Sequence, residues 1–354
     1  MDALRVAFIG LAHLHPLQYL KLIEQLDELV LTAAAEKDTA LLKRFTDAAG
    51  CAGFRDYREL LERDDVDCVF IFLPHSECPE AAAAAAQAGK HIVVEKPCAA
   101  SPDGVREIAA AAEQAGVSFT APYCWRYSAA ARTIRELIME GALGEVCALE
   151  GRCAAGRPER YRRAGAGWML EKAKSGGGPM FNLGVHWIDL FRWLLADEVV
   201  RVAGAVSCHT RGIDVEDCAL ALLTFRSGAL ATLDISYSVP ESYPQGRDLF
   251  VALRGTQGAL SWKPGWLGAP DELFLCSEAP NYASAPVRRI CFDDPGVAGY
   301  AGAMGLEFLR ELAQCIAAGV PPPISGDDAF RAAQVAWAVY QSAETGRAVE
   351  LPPD

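Results

Sequence analysis

The stretch His-Ile-Val-Val-Glu-Lys-Pro at 91–97 ends a short apolar run in two opposite charges and a proline. Such a run reads as a buried β-strand, and Pro97 stops it because proline has no N–H to give to a ladder. Lys96 therefore stands at a strand end, partly withdrawn from water. Desolvation disfavours the ammonium form, so the amine becomes able to take a proton from a hydroxyl group. A second stretch, Ser-Gly-Gly-Gly-Pro-Met-Phe-Asn-Leu-Gly-Val-His-Trp-Ile-Asp, covers 175–189. His186 is of the side-chain type that titrates near neutrality, and Asp189 falls on the same helix face three residues on. That carboxylate either orients the imidazole or makes a structural hydrogen bond. The glycine run invites a phosphate-loop reading, but no Gly-Lys-Ser/Thr follows it, and Ser175 has no neighbouring base to make it a nucleophile.

A third stretch, Phe-Ile-Gly-Leu-Ala-His-Leu-His-Pro at 8–16, supports two readings. His13 and His15 could be a metal pair, but no His-x-x-x-His or carboxylate cluster accompanies them, so no metal is expected. The other reading is a nucleotide-binding turn of altered shape. Gly10 makes the tight turn, Ala12 adds one methyl where the backbone approaches a pyrophosphate, and His15 replaces the small third residue. The backbone from Ala12 through His13 to Leu14 would then face the pyrophosphate, with Leu11 beside the cofactor at the turn. Glu36 ends a second apolar run about two dozen residues later, where a carboxylate accepts hydrogen bonds from adenosine ribose hydroxyls and repels a 2′-phosphate. That favours NAD. The adjacent Lys37 would tolerate the phosphate, so NADP stays open as the alternative.

The elements that position these residues follow a repeating order. Strand-like runs at 4–10, 28–36, 65–74, 91–97 and 117–123 alternate with segments of helical spacing. One helix opens on a Ser101 cap with Pro102 in its first turn, and another ends at Gly89. Repeated β-α-β units imply a doubly wound parallel sheet with right-handed crossovers, whose carboxyl edge binds ligands and here carries Glu95 and Lys96. After Tyr123 the chain turns to longer alternating strands, such as those within 145–154, 218–239 and 247–262, which imply a mostly antiparallel open sheet with one exposed face. The fold class is α/β, a Rossmann domain at 1–121 followed by an α+β domain at 122–354, with the last helix packing back on the first domain.

Composition narrows the functional classes. The chain of 354 residues carries 51% hydrophobic and 22% charged residues and a net charge of −13. That acidity argues against nucleic acid or an anionic membrane as partner. There is no secretory leader pattern and no uncharged apolar segment long enough to span a bilayer. The 12 cysteines form no Cys-x-x-Cys pair and read as reduced core thiols of a cytoplasmic protein.

In order along the chain, Phe-Ile-Gly-Leu-Ala-His, Ala-Ala-Ala-Glu-Lys-Asp, the 65–97 segment ending in Glu-Lys-Pro, Tyr-Cys-Trp-Arg-Tyr-Ser and the 175–195 segment resemble one family. It is the glucose–fructose oxidoreductase / inositol 2-dehydrogenase (Gfo/Idh/MocA) family of NAD(P)-dependent oxidoreductases, and the resemblance covers essentially the whole chain. It implies that Lys96 and His186 are the acid/base pair and that Arg126 lines the cofactor–substrate cleft. It also implies that Leu73, Pro74 and His75 form the turn passing the nicotinamide ribose. Two positions depart from the family pattern. Asn182 stands where an aspartate precedes the histidine, and Cys78 where a histidine often follows the third strand. An amide cannot exchange a proton at neutral pH, so Asn182 would orient the substrate by hydrogen bonding. Trp168 and Tyr161 would either wall a sugar-sized pocket or pack as core aromatics. The basic run at 156–167 reads as a solvated loop or as a steering rim for an acidic substrate.

The resemblance therefore implies hydride transfer between NAD(P) and a secondary alcohol or ketone of a sugar, cyclitol or sugar acid, in a homodimer or homotetramer built through the C-terminal sheet. Two other functions fit the same residues. One is a silent NAD-binding sensor or scaffold, motivated by Asn182. The other is an NAD-using epimerase or glycosidase with no net redox change.

Overall fold

The computed structural model describes residues 3–240, 242–266 and 270–352. The chain forms two compact units, the first made of 1–124, 159–177 and 297–333, the second of 125–158, 178–296 and 334–354.

In the first unit, strands β1 (Leu4–Ile9), β2 (Leu29–Ala35), β3 (Ala52–Phe54), β4 (Cys68–Ile71), β5 (His91–Val94) and β6 (Phe119–Thr120) form one sheet in the order β3-β2-β1-β4-β5-β6. Every pairing in it is parallel. The order reverses between β1 and β4, so the loops that leave these two strands diverge to opposite sides and open a crevice at their carboxyl ends. Phe8 anchors the sheet, with its ring 5.1 to 5.7 Å from those of Phe45, Phe70 and Phe72. Helices α1 (Pro16–Ile23), α2 (Thr39–Ala49), α3 (Tyr57–Leu61), α4 (Cys78–Gln87) and α5 (Pro102–Ala115) connect the strands. Asp38 caps α2 by accepting from the amides of Ala40 and Leu41, and Ser101 caps α5 by accepting from Gly104. At the end of β1, Gly10 has φ +83°, and a Cβ there would meet Leu73 Cδ2 at 2.9 Å and Leu73 N at 3.0 Å. A left-handed conformation and a close approach thus both require glycine at this position.

The second unit holds β7 (Val146–Ala155), β8 (Val199–Ser207), β9 (Cys218–Phe225), β10 (Leu230–Ser236), β11 (Arg247–Gly255), β12 (Gly258–Lys263), β13 (Asp271–Ser277), β14 (Val287–Phe292) and β15 (Val349–Glu350). Their order is β14-β13-β12-β11-β7-β10-β9-β8-β15, antiparallel throughout except for the parallel pair β7–β10. The fold class is the one the sequence implies. Segment 218–239, continuous in hydropathy, is a hairpin in the structure, because Gly228 at φ +93° turns the chain back between β9 and β10. One face of the sheet is covered and the other leaves Leu220, Leu222 and Leu230 exposed.

The cysteines differ from expectation. All 12 are free thiols, but only Cys68, Cys78, Cys98, Cys124 and Cys153 are buried. Alternation along the half-exposed strand β14 puts Cys291 on the open side, which a hydropathy average does not register.

Helix Val185–Leu195 lies against β7 at Gly151, where a Cβ would fall 2.2 Å from Trp187 Cδ1. This glycine sets how closely the helix bearing His186 approaches the sheet. Gly151→Ala is expected to cost about 1–3 kcal/mol by overpacking. A urea titration followed by tryptophan fluorescence checks this, and an unchanged midpoint would show that Trp187 has room to move.

Candidate functional site

The loops leaving β1, β4 and β5 bring together most of the residues singled out in the first unit. A groove of about 570 Å³ follows the β1 and β2 ends, lined among others by Gly10, Ala12, Glu36, Arg55, Tyr57 and Pro74. Glu36 is fixed in it. Its Oε2 accepts from Leu11 N at 2.7 Å and its Oε1 from Asp38 N at 3.0 Å. Lys37 turns toward Glu77, 3.5 Å away. Among the described residues, the amides of Ala12, His13 and Leu14 donate to no protein acceptor.

The two histidines of the turn pack differently. His13 is buried, with its ring 6.0 Å from Phe72 and 5.9 Å from Trp168. His15 leans on Tyr300, with ring centres 4.3 Å apart, and sets Nδ1 3.1 Å from Glu95 Oε2. His15 N donates to His13 Nδ1 at 3.1 Å, so the imidazole proton of neutral His13 sits on Nε2. His75 is the opposite tautomer. Its Nδ1 donates to the Ser175 carbonyl at 2.8 Å, which leaves a lone pair on Nε2. Both Nε2 atoms are buried without a hydrogen-bond partner. Burial, with the charge of His15 second, holds His13 well below the usual histidine range, and burial lowers His75 to about 4. Trp168 lies beside both rings and donates its indole N–H to the Ala12 carbonyl at 2.8 Å. Tyr161 is buried as well.

Glu95 and Lys96 are 4% and 3% exposed, and Lys96 Nζ stands 3.9 Å from Glu95 Oε1. Burial raises the Glu95 pKa, against the opposing pull of Lys96. Cys78, at the family's histidine position, is buried, and its thiol donates to the carbonyls of Leu73 and Pro74. Burial pushes that thiol's pKa far up, which leaves it without acid/base capacity near neutrality.

In the second unit, Asn182 sits in a π-turn, Met180–Gly184, that leads into the Val185–Leu195 helix, and its Nδ2 donates to Tyr237 Oη at 2.8 Å. His186 is half-buried on the first turn of that helix. Asp189 holds Arg126 in a buried two-pronged ion pair with Nε 2.9 Å from Oδ2. Three residues went unnoticed in the sequence. The carboxylate of Glu216 accepts from the amides of Gly178 and Met180 at 2.8 and 3.1 Å and from the Tyr340 hydroxyl at 2.7 Å. The Glu216 carboxyl thus takes up the amides that end the glycine run, which leaves them unavailable to a phosphate. Tyr237 is the third. None of these has a spacing signal, since each reaches its partner from a distant part of the chain. Among the described residues, no group of three or more His, Cys, Asp or Glu is arranged to hold a metal, and no helix is long and apolar enough to cross a membrane.

Residues 4–123 match the model of an oxidoreductase family with an NAD-binding Rossmann fold, and residues 131–261 match the model of the GFO/IDH/MocA C-terminal domain. The chain belongs to the Gfo/Idh/MocA family of oxidoreductases. Among its relatives is the 1,5-anhydro-D-fructose reductase of Ensifer adhaerens, 27% identical over 83% of this chain and 82% of that one. The fold is shared with an oxidoreductase domain protein from Kribbella flavida, with TM-score 0.85, 24% identity and full coverage of both chains. It is also shared with a levoglucosan dehydrogenase solved with NADH and L-sorbose, with TM-score 0.85, 20% identity, and coverage of 99% of this chain and 100% of that one. As a member of the family the protein is an NAD(P)-dependent oxidoreductase.

The chain's own atoms fit the dinucleotide. The Gly10 turn leaves no room for a Cβ, three amides in succession are unused, and two buried Nε2 atoms await partners. These neutral histidines also carry a stability consequence. An unfolded histidine binds a proton below about 6.5, whereas native His75 does so only near 4. Stability present at neutral pH is therefore lost as pH falls from about 6.5 toward 4, at up to about 1.4 kcal/mol per pH unit for each such group. His75→Asn is expected to flatten this decline in urea titrations across that range, and parallel curves for the two proteins would refute the assignment.

Proposed function

We propose that the protein interconverts a secondary alcohol and its ketone on a sugar, cyclitol or sugar-derived acid, with NAD as the hydride carrier. The observation that carries this reading is Lys96, a buried amine at the end of β5, on the same sheet edge as the unpartnered Nε2 atoms of His13 and His75. When bound, the dinucleotide supplies the hydride acceptor or donor.

The chain's residues divide the remaining work. The amides of Ala12, His13 and Leu14 bind the pyrophosphate at the start of α1. Glu36, fixed by two amides, accepts from the adenosine ribose and disfavours a 2′-phosphate, which supports NAD over NADP. Leu73, Pro74 and His75 border the nicotinamide ribose, and the lone pair on His75 Nε2 suits a hydroxyl donor. Glu95 supports Lys96 at the edge. Lys96 Nζ takes the hydroxyl proton in oxidation and returns it in reduction. His186 is its acid/base partner by the family pattern. Asn182, unable to carry a proton, orients a substrate hydroxyl, with its amide set by Tyr237. Arg126, neutralised by Asp189, and Trp168 contribute shape and polarity to substrate binding.

A silent NAD-binding sensor is the second reading. Asn182 favours it, because losing a carboxylate removes a partner that would raise the histidine's pKa. NADH formation at 340 nm with a panel of aldoses and polyols separates the two. Lys96→Ala is expected to lower turnover at least about 100-fold, the ordinary contribution of a general base, while NADH binding measured by fluorescence stays within about twofold. NADPH is expected to bind more weakly in the same titration. Undiminished turnover in Lys96→Ala would remove the base assignment, and binding without turnover on the whole panel would favour the sensor.

A further inference from the structure

We propose that Glu95 and His15 form the route by which the proton taken up by Lys96 reaches solvent, an inference that rests on Lys96 being the base. Each oxidative turnover leaves a proton on a side chain that water scarcely reaches. The side chains of Lys96 and Glu95 are 4% and 3% exposed, whereas that of His15 is 21% exposed. The three are in series, with Lys96 Nζ 3.9 Å from Glu95 Oε1 and Glu95 Oε2 3.1 Å from His15 Nδ1.

The other neighbours of Glu95 do not serve as exits. Tyr19 donates its hydroxyl to Glu95 Oε2 at 3.4 Å, but it is buried, and burial with the Glu95 charge raises its pKa so far that it remains a phenol. The Nδ1 atoms of His13 and His75 are committed to His15 N and the Ser175 carbonyl, and both rings are buried. His15 alone of this set reaches the surface. It stands where a dinucleotide turn ordinarily carries a small residue, and a small residue there would leave Glu95 without this contact.

The transfer balances as follows. Bound NAD would accept the alcohol C–H hydrogen as hydride, with its electron pair, while the O–H proton goes to the neutral amine of Lys96. The ammonium moves through a small rotation of its flexible stem and gives that proton to Glu95 Oε1. The carboxyl group turns about its terminal bond, a soft rotation, and delivers the proton to His15 Nδ1. His15 releases its Nε2 proton to water. Lys96 ends neutral, Glu95 ionised and His15 as its Nδ1–H tautomer, with one proton in solution, and exchange with water returns His15 to the Nε2–H form before the next turnover. Reduction runs the same steps backward.

Full-length protein mixed rapidly with NAD in weakly buffered indicator dye tests the route without any sugar. The cationic nicotinamide lowers the pKa of a neighbouring lysine, so binding expels protons. Wild type is expected to release up to about one proton per chain, and Lys96→Ala none. His15→Ala and His15→Asn should release the same amount at least about tenfold more slowly, with millimolar imidazole restoring the rate in His15→Ala. NADH fluorescence and the thermal midpoint identify variants that bind and fold normally, and His15→Asn keeps a polar contact to Glu95 while carrying no proton. Release lost in Lys96→Ala but at wild-type rate in both His15 variants would overturn the route and leave the base in place. Release unchanged in Lys96→Ala, or absent in wild type, would overturn both.

Discussion

A carboxylate and an amine adjacent in sequence are withdrawn from water together at the carboxyl end of β5, and the polar chemistry of the first unit is arranged around them. Two buried charges cost several kcal/mol each to desolvate unless they are paired and hydrogen-bonded. Here Glu95 meets Lys96, His15 and Tyr19, while the neighbouring His13 and His75 avoid the penalty by staying neutral. Their neutrality follows from the same burial that raises the Glu95 pKa. The result is an edge with fixed donors and acceptors, which is what a positioned acid/base group requires.

Local signals made the first unit readable. Strand and helix periods, the caps at Asp38 and Ser101 and the turn at Gly10 all act within a few residues of their effects, and Glu36 is marked by its place at the end of the second strand. The roles of His13 and His15 were not readable, because Trp168 and Tyr300, which decide where the two rings lie, come from far along the chain. The same holds for Glu216, Tyr237 and Tyr340, whose side chains support the glycine run and Asn182 from two loops and a helix far along the chain. The bond from Asp189 to Arg126 was not readable either, because the two residues are 63 positions apart.

In the second unit the polar residues mostly hold one another. Glu216 fills the hydrogen-bonding capacity of a loop that resembled a phosphate cradle, and Asp189 neutralises the buried guanidinium of Arg126. Fully satisfied networks of this kind rigidify a site. The close contact of Trp187 on Gly151 serves the same end for the helix that carries His186.

The most direct measurement is a crystal structure with NAD and a polyol bound. The nicotinamide ring is expected at the carboxyl end of β5, with its riboside close to His75 Nε2 and the reacting hydroxyl about 3 Å from Lys96 Nζ. A nicotinamide ring bound away from β5, with Lys96 still closed off beside Glu95, would contradict the assignment of Lys96 as the proton acceptor.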